Sequence, residues 1–328
     1  MTDSKQTIAV IVVNYNSGDF LDACLDSLLN QTSPADRILV VDNNSDDGSA
    51  DFVLEHYPGV ELIRESENIG FAAANNHAIK LISDCRWVAL LNPDAVASPN
   101  WLEHLRQGVI DHPTKRFFSC RLIDAQNVQL LDGTGDYYHV CGLVWRRDHG
   151  APVTRNRSIS DRVFSPCAAA ALYNIDLVRQ AGDFDESYFC YNEDIDLAFR
   201  MRLLGADCLH LDHCIVYHAG SGVTGSDSDF TVYHGHRNLV WTYFKNMPTA
   251  LFWWYLPQHL ILNLISVFYY TFKGRPKIIL KAKWDAICGL PAVFRNRSQV
   301  QKTRVVTNQA LKEIMVTHPL APYFMRNE

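Results

Sequence analysis

Apolar and polar positions alternate in blocks along the first hundred residues. Thr7–Val13 (TIAVIVV) is an unbroken apolar run, the pattern of a parallel strand buried on both faces. A polar loop follows. Then Leu21, Cys24, Leu25, Leu28 and Leu29 recur at helical spacing within Phe20–Leu29. The order repeats: strand Arg37–Val41, helix Ser49–His56, strand Val60–Ile63, helix Phe71–Leu81, strand Trp87–Leu91. Strands alternating with helices of about ten residues predict βαβ units, an α/β fold and a mostly parallel twisted sheet flanked by helices. Ligands of such sheets bind outside the carboxyl ends of the strands. The loops Asn14–Asn16, Asp42–Asp47 and Asn92–Asp94 all follow strands, so they are expected to meet at one crevice.

From Phe117 to Phe164 the periodicity fades. Helices are predicted at Asn174–Gln180 and Asp194–Leu204, and a strand at Asp207–Tyr217. Pro248–Phe272 has no Lys, Arg, Asp or Glu in 25 residues, a length that can cross a bilayer. Pro257, Gln258, His259 and Asn263 interrupt it. Trp253, Trp254, Tyr255, Tyr269 and Tyr270 favour a membrane interface, and Lys273, Arg275, Lys277, Lys281 and Lys283 follow. The expectation is a helix lying in the membrane plane or re-entering it, with a full span or a core helix as alternatives.

Charge sharpens the division. Residues 240–328 hold 12 Lys+Arg against 3 Asp+Glu, a net +9, while the whole chain carries −6. A basic tail on an acidic body suggests an anionic membrane surface as partner for the tail alone, and no nucleic acid. Three parts are expected: 1–115, 116–239 and a helical extension 240–328. With 48% hydrophobic and 20% charged residues the 328-residue chain is globular. Its nine cysteines form no CxxC pair and no secretory segment precedes Ile8. A cytoplasmic protein with reduced thiols, peripheral on the cytosolic face of the membrane, is expected. The oligomeric state stays open.

Candidate chemistry lies in the loops. Asp42-Asn43-Asn44-Ser45-Asp46-Asp47-Gly48 has its glycine one place too late for a calcium loop, and Val53 where a bidentate Glu belongs. It reads as a βα turn with an N-cap. Asp42, at a strand end, can accept from a base N–H or a ribose hydroxyl. Asn92-Pro93-Asp94 follows the fourth strand, where a carboxylate can hold Mg²⁺ or Mn²⁺ through oxygen. Such a metal neutralises a leaving diphosphate. Glu193-Asp194 opens a helix behind the aromatic-acidic loop Gly182–Phe189. The dipole alone favours acids there, but a carboxylate in a dry cleft is also a competent base. His218 follows a strand and precedes Ala219-Gly220-Ser221-Gly222, which suits a metal ligand or diphosphate donor. No GxGxxG, GxxxxGK[ST] or GxSxG is found.

Five ordered segments resemble the family 2 glycosyltransferases of GT-A fold, especially the rhamnosyltransferase-like branch. They are Val12–Asn16, Val40–Ser45, Glu67–Asn76, Leu90–Ala95 and Gly182–Arg200. The resemblance spans about residues 7–240. It implies inverting transfer of a sugar from a nucleotide-diphosphate donor, dTDP-L-rhamnose or a UDP-sugar. It implies a lipid-linked saccharide acceptor in cell-surface polysaccharide synthesis. By the same resemblance, Tyr15, Asn16, Asp42 and Asn44 surround base and ribose, and Asn68 lies near the donor. Asp94 ends the metal motif, His218 completes the metal site, and Asp194, or else Glu193, is the base. Asn92 stands where the family's first metal-motif acid belongs, leaving one carboxylate. An inactive saccharide- or nucleotide-binding scaffold and a sugar-nucleotide synthesis enzyme are the alternatives. Asn14–Gly18 lacks the Gly-rich, Arg-containing loop that the latter needs.

Overall fold

The computed structural model describes residues 6–155, 162–220 and 228–318. The first part runs β1 (Ile8–Asn14), α1 (Asp19–Leu29), β2 (Arg37–Asp42), α2 (Ser49–His56), β3 (Glu61–Arg64), α3 (Gly70–Leu81), β4 (Trp87–Leu91), β5 (Ala95–Ala97) and α4 (Trp101–Asp111). The second runs β6 (Phe117–Asp124), β7 (Leu131–Gly133), β8 (Asp136–Tyr138), β9 (Val144–Arg146), β10 (Arg162–Val163), β11 (Ala170–Asn174), α5 (Ile175–Ala181), a 3-10 turn (Glu186–Tyr188), α6 (Glu193–Leu203) and β12 (Cys208–His218). The chain continues through α7 (Asp229–Asn246), α8 (Thr249–Phe272), α9 (Pro276–Lys302) and α10 (Asn308–Ile314).

One sheet carries the order β10-β12-β6-β11-β4-β1-β2-β3, with β5 on β12 and β7 on β6. β1 is parallel to both β2 and β4, and β2 to β3. The order turns back between β1 and β4, which opens a crevice at their carboxyl ends. The expected parallel pairing holds for these four strands. Beyond them the sheet is mixed, because β11 runs antiparallel to β4 and β6.

The strand period of two separates two cores. Ile8, Val10 and Val12 pack with Leu21, Leu25 and Leu28 of α1 and with Trp101, Leu102 and Leu105 of α4. Ala9, Ile11 and Val13 pack with Ala72, Ala74 and Ala78 of α3, Leu177 of α5 and Leu197 of α6. Each fully buried Leu or Ile contributes roughly 1.5–3 kcal/mol. A third core joins Ile195, Phe199 and Leu203 of α6 to Tyr243 of α7, Met247 just after it and Phe252 of α8.

The C-terminal helices depart from expectation in three ways. The boundary placed at residue 240 by charge falls inside α7, which starts at Asp229. Residues 249–272 form one unbroken helix with Pro257 inside it, so there is no re-entrant bend. Lys283 is drawn inward, donating to Asn263 Oδ1 (2.6 Å) and the His236 carbonyl (3.2 Å), and burial lowers its pKa to about 7. It is therefore not a surface cation.

Candidate active site

The first wall of the crevice is a network of neutral side chains around the carboxylates of Asp42 and Asp47. Asn14 is the last residue of β1, and its Nδ2 donates to Asp42 Oδ1 (2.8 Å), Ser45 Oγ (3.1 Å) and Ser49 Oγ (2.8 Å). Ser45 N–H donates to Asp42 Oδ2 (3.2 Å), so both carboxylate oxygens of Asp42 are held. Asn16 ties the loops from its side: its N–H donates to Ser45 Oγ and its Oδ1 accepts from Asp46 N–H. Asn16 and Asn44 take positive φ (50° and 63°), which Asn tolerates better than most residues. Tyr15 is 43% exposed at the rim. Asn14 Oδ1, Ser17 Oγ and Asn43 Oδ1 are buried without a hydrogen-bond partner among the described residues.

Asn68 stands two residues before the next helix, its Oδ1 accepting from Gly70 N–H (3.0 Å). Gly70 has φ 83°, and a Cβ there would stand 2.5 Å from the Phe189 ring and 2.8 Å from its carbonyl oxygen. Only glycine lets this helix start meet the loop before the acid pair.

The floor lies beyond β4. Asn92 N–H donates to the Ala169 carbonyl (2.9 Å). Asp94 is 7% exposed, and its Oδ1 lies 3.3 Å from His218 Nε2. β12 pairs with β5 in the register His218↔Ala95, which brings the two side chains together. His218 is the last residue of the strand and does not follow it. Its Nδ1 pairs with Asp132 Oδ2 at 2.9 Å. Burial opposes its charge, but Asp132 and Asp94 outweigh this and raise its pKa to about 9. Among the described residues His218 Nε2 faces Asp94 Oδ1 as an ion pair and has no other polar partner. A carboxylate oxygen and an imidazole nitrogen converging there form a donor set that fits a divalent cation. Ser221 and Gly222 lie outside the described residues.

The second wall carries the acid pair. Phe189, Tyr191 and Asn192 all have positive φ (66°, 67° and 65°). Each such residue costs of the order of 1–3 kcal/mol and persists only where its surroundings hold it. Asn238 of α7 supplies the hold, donating to the carbonyls of Tyr188, Cys190 and Tyr191 at 2.7–3.0 Å. The turn starts α6 at Glu193, one residue before the expected start. Asp194 accepts from Ala168 N–H (3.1 Å) and Ile195 N–H (2.8 Å). Glu193 is 5% exposed, and its Oε2 has no hydrogen-bond partner among the described residues. Burial raises both pKa values, that of Glu193 further through the Asp194 charge.

Four residues of this site escaped sequence reasoning: Asp132, Asp136, Arg146 and Cys167. Arg146 Nη1 pairs with Asp132 Oδ2 (2.6 Å), its Nη2 donates to Cys167 Sγ (2.7 Å), and its Nε lies 3.7 Å from Asp136 Oδ1. Burial raises Asp132, but Arg146, His149 and His218 together hold it well below the usual carboxylate range. Burial pushes Asp136 up to about 7, helped by the charges of Asp194 and Asp132. The only sequence signal was the Gly- and Asp-rich run Asp132-Gly133-Thr134-Gly135-Asp136.

Residues 9–180 match the glycosyl transferase family 2. The N-acetylglucosaminyl-diphospho-decaprenol L-rhamnosyltransferase of Mycobacterium tuberculosis is 26% identical over 281 residues, covering 78% of this chain and 88% of the relative. The mannosyltransferase PcManGT from Pyrobaculum calidifontis, solved with GDP-Man and Mn²⁺, superposes with a TM-score of 0.54 at 16% identity, over 85% of this chain and 86% of that one. GalNAc-T7 with UDP, GalNAc and Mn²⁺ superposes with a TM-score of 0.58 at 16% identity, over 74% and 48%. The fold is therefore GT-A, and the chain belongs to glycosyl transferase family 2 as a glycosyltransferase.

Proposed function

We propose that the protein transfers L-rhamnose from dTDP-L-rhamnose, with inversion, to a hydroxyl of a polyprenyl-diphosphate-linked saccharide. The observation that carries this is the pairing of Asp94 with His218 on the crevice floor, tied to Asp194 through the turn 167–169. The likeness to a decaprenol-linked rhamnosyltransferase supports the choice of sugar and acceptor.

In this reading Tyr15, Asn16, Asp42, Asn44 and Asn68 line the nucleotide end, with Asn92 beside the diphosphate. Asp94 and His218 would hold Mg²⁺ or Mn²⁺, His218 giving up its Nε2 proton on binding, and the ion would supply charge neutralisation for the leaving diphosphate. Asn92 adds a neutral oxygen where a second carboxylate would add charge. Asp194 accepts the proton of the acceptor hydroxyl as it attacks the anomeric carbon in line. Backbone N–H groups at both of its oxygens hold that carboxylate in place. Positioning and electrostatics supply most of the rate.

The acceptor is reached at a membrane. Trp253, Trp254, Leu260, Ile261, Leu264, Ile265, Phe268 and Phe272 of α8 are exposed, and so are Leu280, Trp284 and Ile287 of α9. The 18-residue window of α8 that is apolar enough to cross a bilayer is only 22% buried. Both helices thus offer apolar stripes beside the turn cations Lys273, Arg275 and Lys277, the pattern of a surface-lying hairpin on an anionic leaflet.

Nucleoside-diphosphate release tests the reading. The donors are dTDP-L-rhamnose and a UDP-sugar panel, with N-acetylglucosaminyl-diphospho-polyprenol as acceptor, with and without Mn²⁺. Release from dTDP-L-rhamnose alone supports it, and release only from a UDP-sugar sinks the donor. Co-sedimentation with anionic liposomes tests the surface. Binding should weaken but persist at high salt, and should fall further when Trp254, Phe272 and Trp284 are changed to Ser. A protein that stays in the supernatant at low salt rejects membrane docking.

A further inference from the structure

The acids of the crevice fall into two groups, and one side chain reaches both. Arg146 closes β9. Its Nη1 pairs with Asp132 Oδ2, the atom that also faces His218 Nδ1 (2.6 and 2.9 Å). That second contact turns His218 Nε2 toward Asp94. Arg146 Nη2 donates to Cys167 Sγ (2.7 Å). Cys167 begins the turn whose Ala168 N–H caps Asp194 and whose Ala169 carbonyl accepts from Asn92. Asp136, Cys167 and Asp194 present side-chain atoms within 4.8 Å of one another, and Arg146 is the cation beside all three. Arg146 thus touches Asp132, Asp136 and Cys167 directly, and reaches Asp94 through Asp132 and His218 and Asp194 through the turn after Cys167.

The approach of that guanidinium is built into the backbone. A Cβ on Gly133 would stand 2.2 Å from Arg146 Cδ and 2.3 Å from Cγ. Any side chain at 133 would push the arginine off its path. The planar fork holds an oxygen and a sulfur in fixed directions at once, where a lysine would present one compact, rotatable charge.

We infer that Arg146 is a positioning residue that keeps the cation-binding pair and the base in register with each other. The inference rests on the proposed roles of Asp94, His218 and Asp194. The register matters because a misplacement of about 1 Å between reacting groups can cost of the order of 10²-fold in rate. It also matters because partners behind a metal ligand typically tune affinity by about 10–100-fold.

The test uses the full chain and two variants. R146M removes the fork, and G133A displaces it while leaving the arginine in place. Mn²⁺ binding in the presence of dTDP or UDP is read by electron paramagnetic resonance of the free ion. Steady-state kinetics give kcat and donor KM, and thermal melting reports folding. Both variants should weaken Mn²⁺ binding and lower kcat, each by about 10-fold or more, with donor KM changed by less than about threefold. A variant that melts like the parent and keeps either Mn²⁺ binding or kcat within about twofold overturns the linkage. Should R146M fail to fold, G133A decides by the same criteria. A parent protein that neither binds Mn²⁺ nor releases nucleoside diphosphate from any donor overturns the underlying reading instead, and this inference with it.

Discussion

At the ends of β1 and β2, Asn14, Ser45 and Ser49 link two carboxylates, Asp42 and Asp47, through neutral donors and acceptors. Across the crevice, Asp94, Asp132, Asp136 and Asp194 stand around one guanidinium and one imidazole. The two walls differ in what they can do. Neutral hydrogen bonds fix the shape of the proposed nucleotide end. Buried charges interact strongly at low dielectric, so they set which groups carry protons as well as where they stand. Variants of the first wall should change binding, and variants of the second should change turnover.

The largest effect is expected on the charged wall. Asp194→Asn should lower kcat by at least about 10²-fold, the scale of a lost general base, with dTDP affinity unchanged. If Glu193→Gln is inert and Asp194→Asn turns over normally, the base is Glu193, whose Oε2 has no hydrogen-bond partner among the described residues.

Asp94→Ala comes next. Nucleoside-diphosphate affinity should lose its response to Mn²⁺, a change of about 10-fold or more that titration calorimetry reads directly. Equal responses in variant and parent would remove Asp94 from the cation site.

The pH profile sharpens the same contrast. Burial raises the Asp194 pKa above that of an ordinary carboxylate, and a base works only when ionised. The acid limb of kcat should therefore lie above pH 3.8 and fall about tenfold per unit below the raised pKa. A flat kcat down to pH 4 would show that no buried carboxylate limits transfer.

The smallest effect is expected on the neutral wall. Asn14→Ala deletes one donor group shared by three acceptors, each such bond contributing about 1 kcal/mol. Donor KM should rise and the melting temperature should drop, with kcat kept. A fall in kcat without a rise in KM would erase the distinction between the walls.

The same contrast decides what could be read from the chain. β1, β2 and β4 are buried on both faces, so their residues are continuously apolar and visible as strands. β7 to β10 have two or three residues each and point Asp132, Asp136 and Arg146 inward. Their polarity reads as loop, because the partners that justify it are distant in sequence. Asp132 meets His218 across 86 positions. Asp94, His218 and Asp194 were visible because each sits beside a strand or helix end. α4 was missed although Trp101, Leu102, Leu105 and Val109 mark its buried face. Lys283 was counted with its surface neighbours because sequence does not show the turn of α9 that faces Asn263 and His236.

Asn238 has a further consequence for how this architecture is inherited. The residue belongs to α7, where the basic tail begins to pack, yet it secures the loop that presents Glu193 and Asp194. Lys245 of the same helix neutralises Asp185 and Asp196, and Asp196 is fully buried in the first turn of α6. Removing one partner of such a pair leaves an uncompensated buried charge. The tail is therefore not an interchangeable module. A gene fusion or deletion that cut before α7 would sever the acid pair from its clamp, so recombination among relatives is expected to carry the two parts together.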